Sequence, residues 1–150
     1  MAPLRWLWRY SDSTTGHPIG KGTLTTNSKP DRDGFYRVRS IRGQRDGTKF
    51  HRLVPDGNGI PGNVDPITGR AYVGDNLIRP KSQRLDAAQL TSGGIGFSLV
   101  NKTFVNLFEL NSPPQPTSFE FFSAPPYPVG PVPPNTEALI RFNAWIQQPS

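Results

Sequence analysis

The chain contains no cysteine, which excludes disulfide bonds and metal sites built on thiolates. Its 150 residues include only two histidines, His17 and His51, and neither has metal-ligand spacing or a nucleophile motif beside it. No run of 18 apolar residues occurs, so the sequence predicts no membrane-spanning helix. Phosphate-binding loops are also missing, since the glycines at 57–62 lack the Gly-Lys-Ser/Thr ending. We therefore expect no cofactor and no enzyme activity, with a hydrolase as the weakest alternative.

Proline and glycine are abundant, at 17 and 15 residues, and they favour short strands and frequent turns over long helices. An aromatic content of 11% supports a packed core. The length suits one domain, so we expect residues 1–150 to form a single β domain.

Alternating apolar residues predict the strands. Leu4, Trp6, Trp8 and Tyr10 share one face of a first strand. Asp46-Gly47 predicts a tight hairpin turn. The fold class is therefore mostly β, an antiparallel β-sandwich or barrel-like domain with long Pro/Gly-rich loops. Further strands are predicted at 21–26, 35–42 with a bulge near Ser40, 49–54, 75–78, 94–100, 103–110, 118–123 with Phe119 and Phe121 inward, and 138–147.

Three segments have fewer signals for regular structure. Residues 55–74 hold prolines and glycines throughout and are predicted to form a long surface loop. Residues 85–90 are consistent with one helical turn. Residues 124–134 contain six prolines and are predicted to be extended. A short helix capped near Asn135 is the alternative to the last strand.

The nearest approach to a metal site is a calcium candidate in the 55–74 loop. Asp56 and Asn58 stand at alternate positions, and Asp65 could contribute from across the loop. The third position of a calcium loop is occupied by Ile60, however. Turn-forming Asp, Asn and Gly residues explain the same composition without a metal, and we favour that interpretation.

Basic residues concentrate in the first part of the chain. Residues 1–84 carry 15 Lys/Arg and 7 Asp/Glu, a net +8, whereas residues 85–150 carry 2 and 4, a net −2. The densest group lies on the hairpin around Asp46 and predicts a cationic stripe that could meet carboxylates, sulfates or phosphates. A solvated sheet face is the alternative interpretation. The stripe consists of Arg37, Arg39, Arg42, Arg45, Lys49 and Arg52.

Seven short motifs, in order over most of residues 6–110, carry a resemblance. Together they resemble a group of uncharacterised cyanobacterial exported proteins, many of which have a C-terminal Pro-Glu-Pro sorting tail. The resemblance implies a secreted or surface-associated β domain and no assigned activity. No signal peptide or sorting tail is recognised, so the localisation stays unassigned. The motifs are Trp8-Arg9-Tyr10, 22–26, Gly34-Phe35-Tyr36, 43–47, Leu53-x-Pro55, 75–78 and 94–97.

These observations predict a non-enzymatic structural or interaction module, a subunit of a larger complex or viral particle. It would contact an acidic protein surface or acidic polysaccharide through the basic hairpin, with residues 55–74 and 125–134 along the partner. Nucleic acid is a less favoured partner, because no nucleic-acid-binding motif is present. The alternative is an extracellular glycan-binding domain that uses exposed aromatic residues, although their alternation assigns most of them to the core. The candidates are Trp6, Trp8, Tyr72, Tyr127 and Trp145.

Overall fold

Eleven β-strands make up the regular structure in the computed structural model, which describes residues 2–65, 67–81, 88–111, 116–127 and 135–147. No helix occurs in these residues, and none could therefore span a membrane. The strands are β1 Leu4–Asp12, β2 Pro18–Thr26, β3 Tyr36–Arg45, β4 Thr48–Leu53, β5 Gly59–Val64, β6 Ala71–Val73, β7 Leu77–Ile78, β8 Ile95–Leu99, β9 Phe104–Leu110, β10 Thr117–Ser123 and β11 Thr136–Ile146.

Eight of the strands close into an antiparallel barrel. Pairing follows the order β1-β2-β3-β4-β8-β9-β10-β11 and returns to β1, so neighbours in sequence are mostly neighbours in space. The short β7 pairs with β3 as an extra strand, and β5 and β6 form a separate hairpin between β4 and β7. Of the two predicted architectures, the structure is the barrel.

Aromatic side chains fill the barrel interior. The alternation in β1 directs Trp6, Trp8 and Tyr10 inward, where each is at most 2% exposed. Trp8 stacks on Phe50 at 5.3 Å between ring centroids and contacts Phe97 edge-on at 5.9 Å. An eight-stranded barrel has an interior just wide enough for such side chains, so this one has a packed core.

The predicted Asp46-Gly47 turn is confirmed. Both residues have positive φ, 46° and 84°, which matches the two-residue turn that suits the twist of a hairpin. The bulge predicted near Ser40 is also confirmed, because the β2–β3 register shifts where Thr25 faces Ser40 and Thr26 faces Val38. This shift brings Ile41 back to the inner face.

The prediction that residues 55–74 form an irregular loop is wrong. They contain β5 and β6, and β5 lies against the outside of β9 and β10. Asn63 Nδ2 donates to Asn106 Oδ1 at 3.0 Å, and Ile60 is buried. Positive φ at Gly57, Gly62 and Gly69 bends this segment into a hairpin that composition alone did not reveal.

The predicted inward direction of Phe119 and Phe121 is also wrong. Their partners across the β9–β10 ladder are the outward residues Phe108 and Asn106. Phe121 is nevertheless only 3% exposed, and Phe119 stacks on Phe108 at 5.3 Å. Both faces of β10 carry aromatic residues, so alternation did not identify the inner face, which holds Glu120.

The final strand β11 is confirmed over the capped-helix alternative. The pairing of β10 with β11 extends as far as Ile140. Beyond that residue, the Gln89 side chain forms two hydrogen bonds with the β11 backbone: its amide N–H donates to the Ala144 carbonyl at 2.9 Å, and its amide oxygen accepts from the Ala144 N–H at 3.2 Å. Half of the possible helical turn at 85–90, residues 85–87, lies outside the described residues, as does most of the proline-rich segment at 124–134.

Candidate binding face

A row of outward side chains crosses five neighbouring strands of the barrel. Backbone register places its members directly opposite one another, at Cβ separations of about 5 Å. Three are cations and two are amides. We call them the cationic row, and in order from β4 through β3, β2 and β1 to β11 they are Lys49, Gln44, Lys21, Arg9 and Asn143.

The charges of this row are not neutralised within the described part of the chain. No carboxylate there forms an ion pair with Lys49, Lys21 or Arg9. Lys21 faces Arg9 directly, an arrangement of like charges that destabilises a sheet. At the β11 end, Lys81 Nζ donates to Asn143 Oδ1 at 3.0 Å and brings a fourth cation to the row.

Apolar side chains lie beside the cationic row. Trp145 on β11 faces Leu7 on β1, and its indole is 43% exposed. The Arg9 guanidinium lies 5.6 Å from the Trp145 ring centroid, within cation–π range. By contrast, Trp6 and Trp8 are core residues at 0% and 2% exposure. Trp145 is therefore the one tryptophan that a ligand in solution can reach.

Two adjoining hollows form a groove along this face. One, of about 650 Å³, is lined by Leu7 and Trp145 as well as by cations of the row. The other, of about 720 Å³, lies towards the β1–β2 and β3–β4 turns and includes Arg141. Arg9, Lys21 and Gln44 line both hollows, so the two are continuous.

Close approach of two strands forms part of the groove wall. Gly22 on β2 faces Gly43 on β3, and both line the first hollow. A Cβ at Gly43 would overlap the Lys21 carbonyl oxygen, and the φ of Gly43 is 143°, so only glycine fits without strain.

The residues of the predicted cationic stripe lie in several separate parts of the structure. Lys49 belongs to the cationic row, and Arg42 is exposed one position along β3 from the groove glycine Gly43. Arg39 and Arg52 are exposed at the bulges of β3 and β4. Arg37 instead forms an ion pair with Asp56, at 3.0 Å between Nη1 and Oδ2.

Arg45 is not part of the outer stripe, which corrects its predicted place. Its Nε and Nη2 donate to the two carboxylate oxygens of Glu120, both at 2.7 Å, inside the barrel. Tyr10 donates to the same carboxylate at 2.6 Å, and Arg45 lies 4.0 Å over the Phe122 ring. Successive side chains of a strand point to opposite faces, so the inward position of Ile41 predicts that Arg45, four residues later, also points inward.

Burial and charge together shift the titration of this cluster. Burial raises the pKa of Tyr10 well above its ordinary value, and the neighbouring Glu120 carboxylate raises it further. Burial opposes the charge of Arg45, but the hydrogen bonds and charge of Glu120 outweigh it and raise the pKa of Arg45. Tyr10 therefore stays neutral and Arg45 stays positively charged inside the barrel.

Sequence reasoning missed Arg9 and Lys21 as members of the site. The alternation of β1 places Arg9 on the face opposite Trp8, but the residues beside Arg9 depend on the β1–β2 register. Lys21 begins the predicted second strand and has no basic neighbour in sequence. The signal that could have found both is a hairpin register that pairs their outward positions.

The calcium candidates are separated by other contacts. Asp56 pairs with Arg37, and Asp65 Oδ1 accepts from the backbone N–H of Ile67 at 2.8 Å. Asn58 is exposed in a turn. Across the described ranges, no three acidic, histidine or cysteine side chains are grouped to hold a metal.

Comparisons with protein-family models, curated proteins and solved structures give no match.

Proposed function

We propose that the protein is a non-enzymatic interaction module that binds an acidic partner through the cationic row, as a subunit of a larger assembly. The observation that carries the proposal is the alignment of Lys49, Lys21 and Arg9 across neighbouring strands with no paired carboxylate in the described residues. Such a row attracts polyanions and speeds their association. Fixed cations without an acid–base partner beside them suit binding better than proton transfer.

The direct opposition of two like charges, Arg9 and Lys21, supports a binding role. The Arg9–Lys21 pair costs stability, by an amount of the order of 0.2–1 kcal/mol for a cross-strand pair. An acidic partner would convert this repulsion into attraction for both side chains. A face that only kept the protein soluble would tolerate the same charges dispersed.

Lys21→Glu tests the proposal because it separates binding from folding. Glutamate opposite Arg9 replaces repulsion with attraction, so we expect the free energy of unfolding to rise by about 0.5–1 kcal/mol. The melting temperature should rise by about 1–4 °C. Binding to immobilised polyglutamate and polygalacturonate, measured at low salt, should nevertheless fall by at least about tenfold.

Lys29→Glu supplies the matched control. Lys29 is exposed in the β2–β3 connection, and the substitution changes the net charge by the same amount away from the row. If both variants lose binding equally, the interaction depends on net charge alone and the proposed face is wrong.

Assembly and localisation are separate parts of the proposal. Gentle isolation from the source cells, followed by native mass measurement, should find the chain in a stoichiometric complex with an acidic component. A free monomer would contradict the assembly role. The resemblance to exported surface proteins stays a prediction, which fractionation of those cells would test.

A further inference from the structure

We infer that the acidic partner is a polysaccharide whose carboxylated or sulfated sugars lie along the groove, with one sugar ring against Trp145. This inference depends on the proposed function and names the chemistry of the partner. Three features of this face support it: the exposed indole of Trp145, the cationic row and the continuity of the two hollows.

The shape of the groove suits an extended chain. The hollows share Arg9, Lys21 and Gln44, and together they follow β1 from Leu7 to Ser11. Four residues of strand correspond to about 13 Å. Trp145 lines one hollow and Arg141 the other, so a chain that fills both would meet an aromatic side chain and a cation at different points. Asp46 also lines the second hollow, where its carboxylate lies 3.9 Å from Arg45 Nη1.

The composition of the row also matches an acidic sugar. Gln44 lies between Lys49 and Lys21, and Asn143 lies opposite Arg9, so each amide of the row has a cation beside it. Amides donate to and accept from hydroxyl groups, whereas lysine and arginine pair with carboxylates or sulfates. A sugar unit that carries hydroxyl groups as well as a carboxylate or sulfate matches both kinds of side chain. A carboxylate can accept only from the amide N–H, whereas a hydroxyl can also donate to the amide oxygen.

Trp145 supplies the apolar part of the site. An indole presents a large flat apolar face together with one N–H donor, and the faces of sugar rings carry C–H groups between hydroxyls. Leu7, directly opposite on β1, extends the apolar surface. Single-stranded nucleic acid is less well matched, because its binding uses several aromatic residues that stack successive bases. Of the three aromatic residues that line the two hollows, Trp8 and Tyr10 are each 2% exposed, and Trp145 alone is open to a ligand.

The first experiment uses the whole protein and Trp145 as the reporter. Since Trp6 and Trp8 are buried, acrylamide quenching of tryptophan fluorescence reports mainly on Trp145. Polygalacturonate oligomers should protect the fluorescence from quenching at low salt. Neutral dextran oligomers of the same length should give no protection.

Calorimetric titration of variants then assigns the contacts. Trp145→Ala should weaken polygalacturonate binding by about tenfold or more, and Trp145→Phe should restore part of the loss. Arg9→Gln combined with Lys21→Gln and Lys49→Gln should abolish binding. The charge-matched control combines Lys29→Gln, Arg32→Gln and Lys102→Gln, all exposed and outside the groove, and should keep most of the affinity.

The outcomes separate this inference from the proposed function. If polyglutamate binds as tightly as polygalacturonate and Trp145→Ala changes neither affinity, the partner is an acidic protein, which overturns the inference and leaves the proposed function standing. Tighter binding of single-stranded DNA than of either probe also overturns the inference. If no polyanion binds the wild-type protein, both proposals fail.

Discussion

Removal of the Arg45 guanidinium tests how the barrel interior is held together. In Arg45→Met, the Glu120 carboxylate, which is 3% exposed at its side chain, loses both guanidinium hydrogen bonds and keeps the one from the Tyr10 hydroxyl. Loss of one member of a buried ion pair costs about 3–5 kcal/mol. The Arg45 side chain is 17% exposed, so water can replace part of the lost interaction, and we expect a cost near the lower limit, about 3 kcal/mol.

Two further variants calibrate this cost. Arg37→Met breaks the surface pair with Asp56, whose side chains are 43% and 55% exposed, and should cost about 0–1 kcal/mol. Adding Glu120→Leu to Arg45→Met removes both charges. The double variant should be more stable than Arg45→Met alone, with a remaining cost of about 1–3 kcal/mol from the unpaired Tyr10 hydroxyl.

Urea denaturation at pH 7 measures all three variants, with an unchanged dependence on urea concentration as the check that each still unfolds in one step. Equal, small losses for Arg45→Met and Arg37→Met would refute the buried-pair argument. Polygalacturonate binding adds a second readout. A folded Arg45→Met protein that had lost binding would return Arg45 to the contact surface, where the sequence pattern first placed it.

Three other substitutions test buried polar groups. Trp6 Nε1 donates to Thr26 Oγ1 at 3.0 Å, whereas the buried Trp8 Nε1 has no acceptor among the described residues, so Trp6→Phe should cost about 1–2 kcal/mol more than Trp8→Phe in urea denaturation; equal costs would contradict this. Burial raises the pKa of Glu109 above its ordinary value of 4.5, so this carboxyl binds a proton more readily in the folded protein than in the unfolded chain. Protonation therefore adds to the free energy of unfolding below pH 4.5, and this contribution is lost as the pH rises through the pKa of Glu109 in the folded state. Glu109→Gln, which can still accept from the Leu90 N–H, should therefore stabilise the protein at pH 7 and lose this advantage near pH 4; a constant difference across this range would count against the assignment.

Local patterns in the sequence were sufficient for most of the barrel. Alternation in β1 and the Asp46-Gly47 turn each depend on neighbours along the chain, and both are confirmed. The β5–β6 hairpin was missed because its bends come from glycines whose positive φ does not show in composition. The inward face of β10 was assigned wrongly because β5 covers its outer face, and such a contact between distant segments leaves no periodic signal.

The binding face shows the same limit more sharply. Counting charges identified one dense basic hairpin, but the row is formed by residues from separate strands whose register becomes visible only in the closed barrel. Arg45 was assigned to the stripe because it is close in sequence to the other basic residues. The bulge beside Ser40, however, places Arg45 on the inward face of β3. To predict which face a charged residue occupies, one must therefore know which residues of the strand point inward after its last bulge.

Nuclear magnetic resonance titration of the ¹⁵N-labelled protein with polygalacturonate oligomers would locate the bound face residue by residue. The three tryptophans give three indole N–H signals, and we expect the Trp145 signal to shift while those of Trp6 and Trp8 stay in place. Backbone amides around Arg9 and Lys21 should shift at the same oligomer concentration. Shifts centred on the β5–β6 hairpin, or the absence of any localised shifts, would contradict the assignment of the cationic row as the binding face.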